Sequence, residues 1–369
     1  MAIFTADQSD LSPRPRWGRR IGWILVIVAV VAGIIVGSQP TSYVIEEPGP
    51  VFNTLGHTIV SEKSVPVISI SGHATHPTSG ALDMLTVNID GAPGETPSWA
   101  QVVGAWFDPS EAVVPIDEIY APQQTIQQSN QQGAAEMTDS QQEATAAALH
   151  EQGIKFTSVA TVAGLIKGSP AVGVFKKNDE ITGINGHTFL DADALHDLVV
   201  KSGTSKPMTI DFTRDGVKHE VQLTPKASSA GPVIGVYISN KYEFPFPVTI
   251  QLQDVGGPSA GMMFALGIID KMTSGTLNGG KHVAGTGTIT ASGAVGAIGG
   301  IRQKMYGAKD AGATYFLAPT SNCGGSDGVR GHIPAGLTVY ATSSLKQSIA
   351  DLKAIASGKG LDKLQTCGS

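Results

Sequence analysis

Charged side chains are scarce in this sequence, in which Asp, Glu, Lys and Arg together make up only 15% of 369 residues. Glycine and proline are abundant instead, with 45 and 21 copies. This balance excludes a coiled coil or an all-helical array and favours strands, turns and close backbone packing. The length exceeds what one hydrophobic core usually serves, so two or three folded units are expected.

The sequence also lacks a distributed basic surface pattern. Its formal net charge is -6, and the one dense basic cluster (Arg14, Arg16, Arg19 and Arg20) stands directly before an apolar run. Chains that bind nucleic acid usually spread Lys and Arg over one face or along one helix. We therefore expect no nucleic-acid partner.

Cysteine is nearly absent, since only Cys323 and Cys367 occur. Neither residue belongs to a metal-site spacing or to a recognisable nucleophile motif. Zinc binding and thiol catalysis are therefore not expected, and the sequence predicts neither a metal ion nor another cofactor.

Long apolar runs are limited to residues 21–37, which contain no charged or polar side chain. This segment is long enough to cross a hydrocarbon core of about 30 Å and predicts a transmembrane helix. Four Arg precede it and none follows within residues 38–57, so the positive-inside bias places the N-terminus in the cytoplasm and the remainder outside the cell membrane. A cleaved signal peptide is the alternative, but the run exceeds a usual signal core and no small-x-small site follows.

The predicted topology places both cysteines in an oxidising environment, where they can pair. We expect a disulfide between Cys323 and Cys367, each of which is flanked by glycine. It would close a loop of about 45 residues, worth roughly 4 kcal/mol in the chain-entropy model. Two unpaired thiols are the alternative, because sequence gives no distance.

Residues 38–153 predict a small membrane-proximal α/β region. Residues 40–56 read as a short strand broken at Pro48-Gly49-Pro50, and strand-like stretches follow at 65–71 and 82–90. Residues 121–142 contain eight Gln and few apolar side chains, which indicates a polar connector rather than a binding segment. A helix is expected only over residues 138–153.

Residues 154–228 show short β-branched runs around one helix. The stretch has Gly168-Ser169-Pro170-Ala171 before an expected short helix, Ile184-Asn185-Gly186 after it, a helix near residues 193–201 and a hairpin turning at Asp215-Gly216. It resembles a PDZ domain, which implies capture of an extended peptide by β-augmentation. The alternative is that this unit only packs against its neighbours.

The sharpest chemical signal is the turn Gly256-Gly257-Pro258-Ser259, which leads from an expected strand at residues 246–252 into the apolar run GMMFALGIID. This turn presents Ser259 at a helix N-terminus. Unpaired backbone N–H groups and the positive helix dipole there favour an oxyanion, so Gly257, Ser259 and Ala260 are predicted to shape the turn and the oxyanion site.

A nucleophilic serine needs a base, and Lys304 is the candidate. A helical reading of residues 299–312 places Ile301, Lys304, Met305 and Ala308 on one apolar face, with Arg302, Gln303 and Lys309 pointing elsewhere. Burial disfavours the ammonium form and lowers the pKa of a lysine, as a base near neutral pH requires. The alternative is a lysine at the edge of the stripe whose amine reaches water.

The Gly-Pro-Ser259-Ala-Gly turn, followed 45 residues later by Lys304 in Ile-Gly-Gly-Ile-Arg-Gln-Lys, resembles the proteolytic domain of Lon proteases. The resemblance implies a Ser259–Lys304 catalytic dyad. Residues 285–289 match the strand of that family whose first threonine supports the lysine, which implies an auxiliary role for Thr286. Residues 245–317 match well and the remainder of the C-terminal domain matches loosely.

The turn departs from the family pattern in one respect. Many Lon enzymes have Lys-Asp-Gly-Pro before the serine, whereas this chain has Val255-Gly256-Gly257-Pro258. That difference concerns substrate positioning rather than the dyad. The sequence also contains no GxxxxGK[ST] run, so ATP-driven unfolding is not expected.

The order of apolar helix, PDZ-like unit and Lon-type domain resembles a bacterial group of membrane-anchored PDZ–Lon-like serine proteases. The expected fold is α+β multidomain, divided into a basic tail (1–20), transmembrane helix (21–37), membrane-proximal α/β region (38–153), PDZ-like domain (154–228) and Lon-type proteolytic domain (229–369). The predicted function is ATP-independent cleavage of unfolded or extended extracytoplasmic peptides through an acyl-enzyme, with a homo-oligomer as an open option. A non-catalytic PDZ scaffold with a degenerate Lon-type fold is the alternative.

Overall fold

The computed structural model describes residues 16–228, 231–253, 255–325 and 328–367. Of the basic cluster, Arg14 and the side chains of Arg16 and Arg19 lie outside the described residues. The described ranges contain eight α-helices: α1 (Arg16–Gly37), α2 (Trp99–Ala105), α3 (Ile116–Ile119), α4 (Ile126–Glu151), α5 (Ala192–Ser202), α6 (Gly261–Met272), α7 (Ile301–Asp310) and α8 (Leu345–Ser357). Short 3₁₀ helices occupy Thr320–Asn322 and Leu361–Lys363.

The strands belong to a mixed α+β fold, as predicted. They are β1 (Tyr43–Asn53), β2 (His57–Val60), β3 (Lys63–Pro66), β4 (Ile68–Ile70), β5 (Ala81–Asp90), β6 (Ala112–Pro115), β7 (Thr157–Leu165), β8 (Glu180–Ile184), β9 (Met208–Arg214), β10 (Val217–Leu223), β11 (Lys226–Ser228), β12 (Gly231–Val233), β13 (Val236–Glu243), β14 (Val248–Ile250), β15 (His282–Gly285), β16 (Thr288–Ile289), β17 (Val295–Gly296), β18 (Tyr315–Pro319) and β19 (Thr338–Thr342).

A six-stranded sheet with the order β19-β18-β15-β5-β1-β6 forms the centre of the protein. The strands β5, β15, β18 and β19 pair in parallel, whereas β1 is antiparallel to both β5 and β6. The expected break at Pro48-Gly49-Pro50 is a register shift between Pro48 and Val51 inside one continuous β1. A bulge absorbs the prolines there, so the strand bends without ending.

This sheet also corrects the predicted division at residue 153. Strand β5 precedes the PDZ-like unit and β15 follows it, yet they pair directly, with Ala284 opposite Asp83. Alternate β5 residues are buried on opposite faces of the sheet, so this strand requires cover on both sides. Residues 38–153 are therefore the first half of the fold that carries the Lon-like motifs rather than a separate membrane-proximal region.

Helices cover both faces of the sheet. On one face Leu82 and Met84 of β5 pack in a core with α4, α6 and α8, in which Met262, Phe264 and Leu352 are fully buried. On the other face Leu85 packs with α7 and with the outward residues of β18 and β19. The period-2 alternation along β5 thus places α6 and α7 on opposite sides of one sheet.

Helix α4 differs from the predicted polar connector. It is one continuous helix of 26 residues, and its N-cap is Thr125 rather than Thr138. Thr125 and Gln128 form a capping box, which satisfies two backbone N–H groups at the helix start. Glutamine is a good helix former, so the Gln-rich segment stays helical once its start is capped and its C-terminal half is buried in the core.

The PDZ-like unit is a five-stranded sheet with the order β10-β9-β8-β7-β13, covered by α5. The predicted helix and the hairpin at Asp215-Gly216 are present. The short helix expected after Pro170 is instead a series of turns. The unit also extends beyond the predicted boundary at residue 228, because β13 pairs along its length with β7.

Two further predictions concern single features of the chain. Residues 20–37 of α1 are long and apolar enough to span a membrane, and none of this window is buried within the protein. Cys323 and Cys367 are joined by a disulfide. The bond holds the C-terminal segment against β19, where the Ala341 N–H donates to the Gln365 carbonyl at 2.8 Å.

Candidate active site

Ser259 lies in the turn between β14 and α6, immediately before the N-cap Ala260. Gly257 has φ +84°, a left-handed conformation that glycine adopts without strain. Helix α6 is buried almost throughout, since its apolar residues fill the space beneath the central sheet. The buried helix fixes the turn, and the turn leaves the Ser259 side chain half-buried at its surface.

Lys304 reaches the serine from the other side of the sheet. Its Nζ lies 2.8 Å from Ser259 Oγ and 3.4 Å from Thr286 Oγ1. The residue is 3% exposed and lies on the predicted apolar face of α7 with Ile301 and Met305. Burial lowers the pKa of Lys304 from its usual 10.5 to about 8, against an opposing effect of the Glu46 charge. A substantial neutral fraction is therefore present near neutral pH, and a neutral amine can accept the serine proton.

Thr286 connects the two residues. Its hydroxyl donates to the Ser259 carbonyl at 2.9 Å and accepts from Lys304. The Gly287 N–H donates to the same carbonyl at 2.8 Å. Two donors thus hold the serine backbone, and the threonine side chain also fixes the direction of the lysine amine.

The backbone N–H groups of the three residues predicted for the oxyanion site differ in their hydrogen bonding. The Gly257 N–H donates to the Gly133 carbonyl in α4 at 2.9 Å, so it is not free to bind an oxyanion. The N–H groups of Ser259 and Ala260 make no hydrogen bond to another described residue and lie at the N-terminus of α6. Gly257 is therefore a turn residue, and the oxyanion prediction narrows to Ser259 and Ala260.

Sequence reasoning missed the contribution of α4 to this site. Ser140 Oγ donates to the Pro258 carbonyl at 3.0 Å, and Gly133 accepts from Gly257 as described. Both contacts connect residues more than a hundred positions apart, so no local pattern could indicate them. Gln303 was also expected to point away from the apolar face, but it is only 2% exposed.

The close approach of α4 accounts for the departure from the Lon pattern at Gly256. A Cβ at this position would lie 3.2 Å from the Cα and the carbonyl carbon of Gly133, a contact with rigid backbone. An aspartate there would force the helix away from the turn. Gly256 is thus the residue that fits a serine turn covered by α4.

Two clefts lie near the candidate residues. One of ≈ 400 Å³ lies beside the start of α7 and is lined in part by Glu46, Glu118 and Gln303. The other, of ≈ 430 Å³, lies between α3 and α4 and reaches Gly257 of the serine turn. Both are open, and the second leaves room for an extended chain beside the turn. Within the described ranges, no three His, Cys, Asp or Glu side chains are close enough to hold a metal ion.

Comparison with known proteins agrees with this geometry. Residues 253–354 match the family described as Lon protease (S16) C-terminal proteolytic domain. This part of the chain is similar to a Lon proteolytic domain. The described part of this match contains Ser259, Thr286 and Lys304, and its strands share the central sheet with β1, β5 and β6, which lie outside the match.

Relatives of the Lon-type domain come from several bacteria. Lon protease 2 of Herpetosiphon aurantiacus is 37% identical over 91 residues, which are 25% of this chain and 11% of that protein. Lon protease 1 of Bacillus subtilis is 34% identical over 91 residues, which are 25% of this chain and 12% of that protein. The chain thus spans about a tenth of the length of these relatives.

Two solved structures of PDZ domains are similar to part of the chain. The PDZ domain of the SdrC-like protein of Listeria innocua is 22% identical, with a TM-score of 0.21 and coverage of 22% of this chain and 92% of that one. The PDZ domain of the SdrC-like protein of Listeria monocytogenes is 20% identical, with a TM-score of 0.20, and covers 21% of this chain and 85% of that one.

Proposed function

We propose that this protein is a membrane-anchored, ATP-independent serine endopeptidase that uses a Ser259–Lys304 dyad. The observation that carries the proposal is the 2.8 Å contact between a buried lysine amine of lowered pKa and a serine hydroxyl at a helix N-terminus. The match of residues 253–354 to the Lon proteolytic domain supports it. Unfolded or extended peptides are the proposed substrates, because the cleft that reaches the serine turn at Gly257 is open.

The proposed reaction is acyl transfer in two steps. Neutral Lys304 Nζ takes the Oγ proton of Ser259 while Oγ attacks the scissile carbonyl carbon. The N–H groups of Ser259 and Ala260 stabilise the oxyanion of the tetrahedral intermediate. Lys304 then gives its proton to the leaving amine, and an acyl-serine remains. The same amine activates the water that hydrolyses the ester, which restores free Ser259.

The proposed location follows from α1 and its flanks. An apolar helix with Arg before it and no Lys or Arg in residues 38–57 favours a cytoplasmic N-terminus and an extracytoplasmic protease. The disulfide between Cys323 and Cys367 is consistent with an oxidising compartment. Substrates would then be extracytoplasmic or released from the membrane.

The PDZ-like unit is proposed to deliver substrate. A groove of ≈ 260 Å³ lies between α5 and β13, and its walls include Leu195, Val199 and Ile238. Strand β13 is the last strand of its sheet, so its outer edge has the geometry for an added peptide strand. A peptide held there would lie on the strand that leads through β14 to Ser259.

A non-catalytic PDZ scaffold remains the second candidate, and one experiment separates it from the enzyme. The full chain is treated with a fluorophosphonate probe, which labels activated serines. We expect labelling of the wild type, its loss in Ser259→Ala, and wild-type labelling in Ser357→Ala, where an exposed serine at the end of α8 is removed. An unlabelled wild type that is folded would favour the scaffold.

A further inference from the structure

Helix α2 exposes a large aromatic surface. Trp99, Val103 and Trp106 recur at i, i+4 and i+7, and they are 38%, 42% and 62% exposed. Phe107 follows directly and is 85% exposed. These four side chains, called the α2 aromatic face below, form one stripe on the surface, because residues with this spacing share a side of a helix.

The opposite side of α2 is apolar as well. Val102 is fully buried and Ala105 is 3% exposed, so the helix already rests on the protein through these residues. No charged residue occurs between Trp99 and Phe107. A surface helix of a protein surrounded by water normally turns polar residues outward, so the α2 aromatic face indicates an apolar environment on its outer side.

The position of α2 identifies that environment. The Trp99 N–H donates to the Gln39 carbonyl at 3.1 Å, two residues beyond the end of α1. Ser98 also forms a β-bridge with Pro40. A Cβ built on Gly37 would lie 3.7 Å from the Ala100 Cβ. The start of α2 is therefore packed against the C-terminal end of the apolar helix.

The distribution of tryptophan supports the same conclusion. The chain has four Trp, of which Trp17 and Trp23 lie near the start of α1, whereas Trp99 and Trp106 lie on or next to α2. The apolar run of residues 21–37 rises about 26 Å as a helix, close to the hydrocarbon thickness of a bilayer, and Trp17 lies four residues before it. Tryptophan is enriched at both membrane–water interfaces, and here each end of the span has a pair.

We propose that the α2 aromatic face inserts into the outer interface of the bilayer crossed by α1. The occupant is the lipid interface itself, bound through aromatic and apolar side chains. Asp108 and Glu111 border the surface, and the nearby Arg302 side chain is bound to the backbone carbonyls of residues 108, 109 and 111. The proposed binding therefore comes from aromatic and apolar side chains rather than from attraction to anionic headgroups. This inference rests on the proposed anchoring by α1. It adds a second attachment point, which fixes the tilt of the protease on the membrane.

The test places an environment-sensitive fluorophore on the surface. Both native cysteines are bonded to each other, so Phe107→Cys supplies one reactive thiol in the full chain. The protein is labelled with nitrobenzoxadiazole and placed in phosphatidylcholine vesicles. We expect several-fold stronger quenching by doxyl lipids than by iodide. Val217→Cys on the β9–β10 hairpin, 59% exposed, is the matched control and should show the reverse.

A third label separates this inference from the anchoring on which it rests. Val28→Cys, in the middle of α1, reports insertion of the helix. If doxyl lipids quench the label at position 28 while iodide quenches the label at position 107, α1 is inserted but the α2 aromatic face is not. That result overturns the second attachment point and leaves the anchoring by α1 intact. Iodide quenching at 28 overturns the anchor. Shielding of 107 from both quenchers shows a protein partner and overturns the lipid assignment.

Two further measurements complete the test. Far-UV circular dichroism and thermal unfolding of the same samples show whether each labelled protein is folded, independently of catalysis, and Trp106→Cys provides a second position if Phe107→Cys does not fold. Replacing a third of the lipid by phosphatidylglycerol should leave quenching at 107 unchanged. A requirement for the anionic lipid would overturn insertion through aromatic side chains.

Discussion

In the proposed mechanism the protonation state of Lys304 decides whether Ser259 can act as a nucleophile. The amine is enclosed by α7 and the sheet and has two hydroxyl neighbours, so its charged form lacks the solvation that water provides. Thr286 binds both the lysine amine and the serine backbone, so it is expected to set their relative position rather than to exchange protons.

At this scale we expect the acylation rate to rise with pH and level off above about 8, because only neutral Lys304 accepts the serine proton. The rate of Ser259 modification by a fluorophosphonate is measured between pH 5 and 10, with Ser259→Ala as the blank. A rate that is flat or falls with pH over this range would contradict a lysine base.

The same pKa affects stability. Folding lowers the pKa of Lys304, which reduces the free energy of unfolding. The reduction has its full size below about pH 8 and disappears as the pH rises past 10.5, the pKa of the unfolded chain. Lys304→Met should abolish activity yet raise the free energy of unfolding at pH 7 by up to roughly 3 kcal/mol. Denaturant unfolding at pH 7 and 9.5 checks this, since the gain should shrink at the higher pH.

The contact between Lys304 and Ser259 could be anticipated from sequence because each residue sits in a short local pattern. A glycine-rich turn marks Ser259, and helical spacing of apolar residues marks Lys304. Gly133 and Ser140 could not be found in this way, since Ser140 meets Pro258 across 118 residues of chain. Gly257 was assigned to the oxyanion site because its N–H is unpaired in an isolated turn, and only the tertiary contact with α4 reveals its partner.

At the scale of elements, α4 holds the serine turn at two points. The Gly133 carbonyl binds the Gly257 N–H, and the Ser140 hydroxyl binds the Pro258 carbonyl. The helix itself was predicted only in its second half, because Gln-rich sequence has no apolar periodicity. The strands β5, β9 and β10 and the helices α5, α6 and α7 agree with the sequence-based expectations, since hydrophobic spacing or caps define them locally.

The contact between two glycines gives a matched pair of variants. Gly256→Ala would place a Cβ 3.2 Å from the Gly133 backbone, whereas Gly133→Ala would meet Gly256 at 3.5 Å, an ordinary contact. We expect Gly256→Ala to lose about 1–3 kcal/mol and at least tenfold in acylation rate through displacement of α4. Gly133→Ala should keep the rate and gain up to about 1 kcal/mol from helix propensity. Equal changes in stability and acylation rate in the two variants would contradict a role of α4 in holding the serine turn.

At the scale of the whole molecule, the PDZ-like unit is inserted in the Lon-type fold. Phe156 and Phe244 stand at its two ends, and their ring centroids are 5.6 Å apart. The unit contacts the rest of the protein at two further points. Glu143 of α4 accepts hydrogen bonds from Tyr242 and Asn240 of β13, and Asp191 of the unit accepts one from the Ser292 N–H. Sequence patterns gave the order of the units but not the insertion, because pairing of β5 with β15 is a long-range contact.

The insertion defines a deletion that tests substrate delivery. Replacing residues 157–243 by a short glycine linker should weaken cleavage of an unfolded protein at least tenfold and change cleavage of a short peptide little. Ala192→Trp, which fills the groove beside α5, should act in the same direction, whereas Val217→Trp on the hairpin should have no effect. Equal losses on protein and peptide would indicate a structural role of the unit.

The shared sheet also imposes an order of events during synthesis. Strands β1 and β5 are made first, the serine turn follows the inserted unit, and Lys304 with β18 and β19 is made later still. Under the proposed topology the nucleophile therefore crosses the membrane before its base. The strand β5 has no parallel neighbour until residue 285 has followed. Under this topology a chain still in transit has Ser259 outside without Lys304 beside it, and we expect it to be inactive until both residues have been exported.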